Sequence, residues 1–271
     1  MKSSSAFCPA YVTGLFTIGE GDAAGAGFAI DMGLTTIASE RKSGSTTITI
    51  NGKEVAVPVS KAVLRRYSEV CGKVGALEIM HQTEIPIGFG LGMSAAGALS
   101  LSLALNELLG AGLSRGKAVK IAHGAEVECG TGLSGADAAA IGGILARRSL
   151  RHGVEVIPFE ERELEIAFYS PIRTASVIRS PDWKEKVNSA GEKALALLFE
   201  KKDWDGLVLS SRLFDTGAGF AFWCGEEMGT NARASMAMLG HTLFCDQPMK
   251  LRKAPAKLLK AKTCAQGARL V

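Results

Sequence analysis

Ile85-Pro86-Ile87-Gly88-Phe89-Gly90-Leu91-Gly92-Met93-Ser94-Ala95-Ala96-Gly97 stands between a short apolar run at about 76–82 and a longer one at about 94–109. That order predicts strand, glycine turn, helix. Glycines at alternate positions before a helix start expose successive backbone N–H groups, and the helix dipole adds positive potential, so the turn is suited to hold phosphate. The small residues at 95–98 let the helix lie close against a sheet. Ile85 to Asn106 carries no charge over 22 residues, which is the length of a membrane span. It also holds Pro86, four glycines, Ser94, Ser100, Ser102 and Asn106, so it reads as a loop feeding a buried helix.

Two common phosphate loops do not fit. A Walker A loop ends in Gly-Lys-Ser/Thr, and no such Lys is present. Gly90-x-Gly92-x-x-Ala95 matches the dinucleotide fingerprint formally, but that pattern needs an acid about 20 residues on, at the end of a second strand. Gly110-Ala111-Gly112-Leu113 stands there instead.

Outward from the loop, residues 6–16 and 27–39 are apolar and bounded by turns. Thr46–Ile50 and Val55–Val59 flank Asn51-Gly52, a strong hairpin signal. Ser60 is expected to cap a helix ending near Gly72, and Ser114 to cap another with Val119, Ala122 and Ala125 inward. Residues 143–149 and 154–159 read as a hairpin. A charged link at Glu160–Glu163 sets the expected boundary between a domain at 1–161 and a second at 162–271. Beyond it, strand, helix, helix, strand, helix are expected, with Ser180-Pro181 and Asp203 opening the helices and His241–Cys245 as a strand. This order is not a regular βα alternation, so the fold class is α+β in two packed lobes.

The chain has 271 residues, 47% of them hydrophobic and 21% charged, a globular composition. A net charge of +4 does not make nucleic acid the default partner. Seven bases and no acid follow Asp246, which reads as a solvated helix face. The six cysteines form no C-x-x-C pair, and the four histidines lack zinc spacing, so reduced thiols in a cytoplasm are expected, with neither a signal peptide nor a membrane partner.

A second constellation follows the glycine loop. His123-Gly124-Ala125-Glu126-Val127-Glu128 ends the helix that Ser114 opens, and Gly130-Thr131-Gly132-Leu133-Ser134-Gly135-Ala136-Asp137 comes next. Phosphoryl transfer calls for one carboxylate to hold Mg²⁺ and one to take or orient the nucleophile's proton. Glu126 and Asp137 suit those tasks. For either alone, a solvated face or a cap is the simpler reading, and Glu128 reads as a surface charge.

The loop Pro86-x-x-x-Gly90-Leu91-Gly92-Met93-Ser94-Ala95-Ala96 resembles the nucleotide loop of the GHMP kinases, with Met93 in place of the first of two serines. Glu126, eleven residues before Asp137 of Ser134-Gly135-Ala136-Asp137, resembles the acid pair of mevalonate kinases in that superfamily. Phe7-Cys8-Pro9-Ala10-Tyr11-Val12-Thr13-Gly14-Leu15-Phe16 resembles its first motif, a strand lining the substrate side, whereas Ser235-Met236-Ala237-Met238-Leu239-Gly240-His241-Thr242 replaces its usual late glycine loop. Together these motifs resemble the archaeal pantoate kinase family over nearly the whole chain. The resemblance implies an S5-domain-2-like N-terminal lobe, a ferredoxin-like C-terminal lobe, ATP and Mg²⁺ as cofactors, and a homodimer. Ser94 and Glu126 are then the metal ligands, and Gly88, Gly90, Leu91, Gly92, Met93, Ser94 and Ala95 hold the nucleotide. Asp137 activates the hydroxyl, and His123, Arg147 and Thr174 bind the acid substrate, pantoate. Arg148, on the opposite strand face, is the control, and Gly19–Gly27 suggests a substrate lid. A kinase for homoserine or shikimate, or a nucleotide-binding protein without turnover, remain the other readings.

Overall fold

The computed structural model describes residues 2–19, 23–72, 74–132, 135–149, 151–172 and 181–271. Two long strands, β1 (Ser3–Ile18) and β2 (Ala23–Glu40), pair antiparallel along their length and carry the first sheet. β3 (Thr47–Ile50) and β4 (Lys53–Glu54) form the Asn51-Gly52 hairpin, with Asn51 at φ +50 and Gly52 at φ +77 as such a turn requires. β3 then runs parallel to β5 (Leu77–Thr83). The outer half of β2 pairs with β5 and its inner half with β6 (Ile144–Arg147), which pairs in turn with β7 (Glu155–Ile157) as expected.

The second arm of that hairpin is shorter than the expected Val55–Val59. The chain turns instead into α1 (Pro58–Cys71), because proline fixes the backbone angle of a first helical turn and needs no partner for a missing N–H. Val57, not Ser60, is the N-cap. Ser60 lies inside the helix, where its hydroxyl meets His81 Nε2 at 3.0 Å. α2 (Met93–Leu108) is buried on nearly every side, as its sequence, uncharged up to Glu107, predicts. α3 (Arg115–Cys129) starts at Ser114, which accepts from Lys117 N, and ends at Gly130 in the left-handed region. α4 (Gly135–Ile141) follows at once.

β8 (Glu163–Pro171) opens a second, antiparallel sheet. Then come α5 (Pro181–Lys201), α6 (Trp204–Gly217), with Asp203 capping Gly206 N, and α7 (Ala221–Thr230). β9 (Ser235–Met236), β10 (Gly240–Cys245) and β11 (Lys257–Lys262) complete the sheet in the order β11-β8-β10-β9. The basic tail is thus an edge strand, not the expected helix face, and Lys260 and Lys262 project to solvent from it while Ala261 turns inward. The last strand, β12 (Arg269–Leu270), returns to the first sheet beside β1. The two sheets divide near the Glu160–Glu163 link, and we propose 1–161 and 162–271 as the two domains, with the end of the second crossing back. Their interior is continuous: Phe28 of β2 meets Trp204 and Phe244 edge-on, each at 5.1 Å.

A buried polar chain ties four elements together beneath the glycine loop. His81 Nδ1 meets Thr36 Oγ1 at 2.8 Å, Thr36 meets Ser100 Oγ at 2.6 Å, and Ser100 donates to Ala96 O at 2.7 Å. Burial pushes the imidazole from its ordinary 6.5 down to about 4. Between those values the unfolded chain binds a proton that the folded chain refuses, so stability falls as pH drops from 6.5 towards 4 and this contribution is flat below. The whole loss is about 3 kcal/mol. The buried carboxyls of Glu126 and Asp215, pushed up to about 7, contribute the opposite slope over this range, so His81→Gln is expected to change the pH slope of urea unfolding by the His81 contribution, and an equal slope in both proteins would refute the assignment.

Candidate active site

The turn between β5 and α2 is built on left-handed glycines: Gly88, Gly90 and Gly92 have φ of +88, +89 and +65. Gly92 is the N-cap of α2 and supplies no capping side chain, so the first-turn amides remain available to an anion. Gly90 is the most constrained. A Cβ there would lie 2.4 Å from Ala237 O and 2.7 Å from Gly240 N, so the late segment 235–240 buttresses the loop directly. On its other side Tyr11 N donates to Leu91 O at 3.2 Å.

The loop borders a cavity of about 590 Å³. The N-terminal turn of α1, with Ser60, and His81 and Cys129 line one part of it. Gly88, Gly90, Gly92, Met93, Ser94 and Ala95 line the middle, with Glu126 and Gly132, while Thr13, Phe16, Met238 and Leu239 line another part. A chamber of this size, with apolar walls and a few convergent polar groups, is a small-molecule site.

Glu126 is 3% exposed, on the inner face of α3. Burial pushes its carboxyl up to about 7, and the nearby Asp137 adds to that, while His123, the Ala136 N–H and the Ser94 hydroxyl pull it down. Ser94, in the first turn of α2, lines the same cavity as Glu126, which brings together two residues 32 positions apart in sequence. Asp137 stands in the first turn of α4 with Oδ2 at 2.6 Å from His123 Nδ1. The helical spacing that put His123 and Glu126 on one face is what lets α3 meet both Ser94 and Asp137.

Arg147 sits on β6 opposite Gly25, its Nε donating to His152 O at 3.1 Å, and Arg147, His123 and Asp137 are not part of the cavity lining. Arg148 points away, with its guanidinium 4.2 Å from the Phe199 ring centroid. Thr174, Ser134, Ser180 and residues 20–22 of the glycine-rich Gly19–Gly27 segment lie outside the described residues. Glu128 pairs with Arg65 and Arg66 on the surface, as its position predicted. Thr13 and Phe16 belong to the Phe7–Phe16 strand expected to line the substrate side, whereas Met238 and Leu239 were missed as lining residues, and the signal for them was the departure of Ser235–Thr242 from the usual late motif. Among the described residues no helix is long and apolar enough to cross a membrane.

Residues 56–145 match the family profile described as GHMP kinases N terminal domain. The fold is that of this class of kinases. Over 267 residues the chain is 30% identical to pantoate kinase of Methanocaldococcus jannaschii, an alignment that covers 94% of this chain and 96% of that protein. It is 28% identical over 260 residues to pantoate kinase of Methanospirillum hungatei, covering 89% and 86%. The chain belongs to the pantoate kinase family. A solved phosphotransferase related to the CoA biosynthesis pathway shares the fold with a TM-score of 0.82 at 21% identity, over 100% of this chain and 99% of that one. Homoserine kinase from Cytophaga hutchinsonii shares it at 0.66 and 17% identity, over 100% and 98%.

Proposed function

We propose that this enzyme transfers the γ-phosphoryl group of ATP to the C4 hydroxyl of (R)-pantoate, forming (R)-4-phosphopantoate and ADP for coenzyme A synthesis. The observation that carries this reading is the placement of Ser94 and Glu126 on one cavity beside the glycine loop, with the His123–Asp137 pair on the adjoining turn. The amides from Gly88 to Ala95 hold the phosphates. The C4 oxygen attacks the γ-phosphorus, the bond to the bridging oxygen of ADP breaks, and the hydroxyl proton passes to Asp137. His123 holds Asp137 Oδ2 at 2.6 Å and so orients the carboxylate that receives it. Arg147, Thr174 and the remaining face of His123 are assigned to the pantoate carboxylate.

Ser94 and Glu126 fit Mg²⁺: both offer hard oxygen donors, Mg²⁺ takes only one or two protein oxygens beside phosphate and water, and a buried carboxyl pushed up to about 7 by desolvation is stabilised as an anion by a cation. Bound there, Mg²⁺ would neutralise charge on the phosphate oxygens. Glu126→Gln and Ser94→Ala are each expected to raise the Mg²⁺ needed for half-maximal rate more than the pantoate needed. Unchanged metal titrations in both would place the metal elsewhere.

Coupled ADP release with pantoate, homoserine and shikimate tests the substrate. Faster turnover of either rival would displace pantoate, and nucleotide binding without turnover of any would make the chain a binding protein. A homodimer acting in the cytoplasm completes the proposal, and mass by light scattering tests the dimer.

A further inference from the structure

We infer that Phe16, Met238 and Leu239 form an apolar wall that selects the doubly methylated C3 of pantoate, and that Asp215 is the positioning residue that sets this wall. The inference rests on the pantoate reading and deepens it. Pantoate differs from a plain dihydroxy acid by two methyl groups beside the reacting C4 hydroxyl, and such a branch is recognised only by shape and apolar contact.

Phe16, Met238 and Leu239 are each 7–8% exposed and line the same cavity as Ser94 and Glu126. One face of α6 supports Phe16 directly and the segment that leads to Met238 through Asp215. Phe16 leans on Phe214 with ring centroids 5.3 Å apart. The next residue, Asp215, is fully buried, and its Oδ2 accepts from Ser235 Oγ at 2.6 Å and Met236 N at 3.0 Å. From there the chain passes to Met238, whose N donates to Thr13 O at 2.8 Å. One turn earlier on α6, Ser211 packs against Gly14, where a Cβ would come within 2.1 Å of its hydroxyl oxygen, so β1 lies directly on the helix. Among the described residues Asp215 Oδ1 is buried without a hydrogen-bond partner, and burial pushes the carboxyl up to about 7. A fold keeps so costly a group where its geometry is needed.

The test compares kcat/KM for pantoate with kcat/KM for 2,4-dihydroxybutanoate, its analogue without the methyl groups. Because the readout is a ratio within one preparation, the fraction of folded enzyme cancels. The wild type is expected to favour pantoate by at least about tenfold, and Leu239→Ala and Met238→Ala to lower that preference by roughly tenfold each. Asp215→Ala is expected to lower it as well, and Asp215→Asn, which keeps an oxygen to accept from Met236 N, to restore most of it. A preference unmoved by both wall variants overturns the wall while leaving pantoate as substrate. An Asp215→Ala enzyme with the wild-type ratio, or an Asp215→Asn enzyme as poor as Asp215→Ala, overturns the positioning role. A wild type that turns over neither acid overturns the substrate reading and the wall together.

Discussion

Asp137→Asn is expected to bind ATP as the wild type does and to lose about 10² to 10⁴ in kcat, the span a positioned base contributes. Asparagine keeps the shape of the side chain and its first-turn position on α4, and its amide still reaches His123, but it has no basicity with which to take the hydroxyl proton. The side chain is 46% exposed, so the fold depends little on it and the loss is to be read as chemistry. Calorimetric ATP binding and single-turnover ADP formation separate the two effects. Wild-type turnover would remove Asp137 from the reaction. Weakened ATP binding with unchanged kcat would make it a nucleotide contact.

The site was legible where its residues lie close together in the chain. Three alternate glycines before Ala95 and Ala96 specified the turn into α2, and Ser114 and Gly130 bounded α3 by the ordinary chemistry of helix ends. Glu126 and Asp137 could be paired because a helix end and one loop separate them. What was not legible depends on contacts across the fold. Gly90 needs to be glycine because Ala237 and Gly240 press on it, more than 140 residues later. His81 reads as one of four scattered histidines until Thr36 and Ser60 close around it. The basic tail misled because the adjacent Leu258 and Leu259 break the alternation of Lys257 to Lys262, and its pairing with β8 makes it a strand. Pro58 carried the true start of α1, but the hairpin signal just before it favoured extending the strand through Val59.

Arg147→Met is expected to cut kcat/KM for pantoate by about 10- to 10³-fold while Arg148→Met does little. Removing a charged partner leaves a substrate carboxylate desolvated and unpaired, at roughly 2 to 5 kcal/mol, and about 1.4 kcal/mol is tenfold. The two arginines are neighbours on a strand and so face opposite sides. Arg148 is committed to the Phe199 ring of α5. Arg147 pairs in register with Gly25, at the start of β2 and close to Ala23, which lines the cavity. Its Nε is engaged by His152 O, and a planar fork held in place loses little entropy when it binds a carboxylate. Pantoyl lactone, which has no free carboxylate, should not compete with pantoate in the wild type. If Arg148→Met proves the damaging change, the face assigned to this hairpin is reversed. If neither change matters, another cation holds the carboxylate, and the preference for an acid substrate must be traced to it before pantoate is retained.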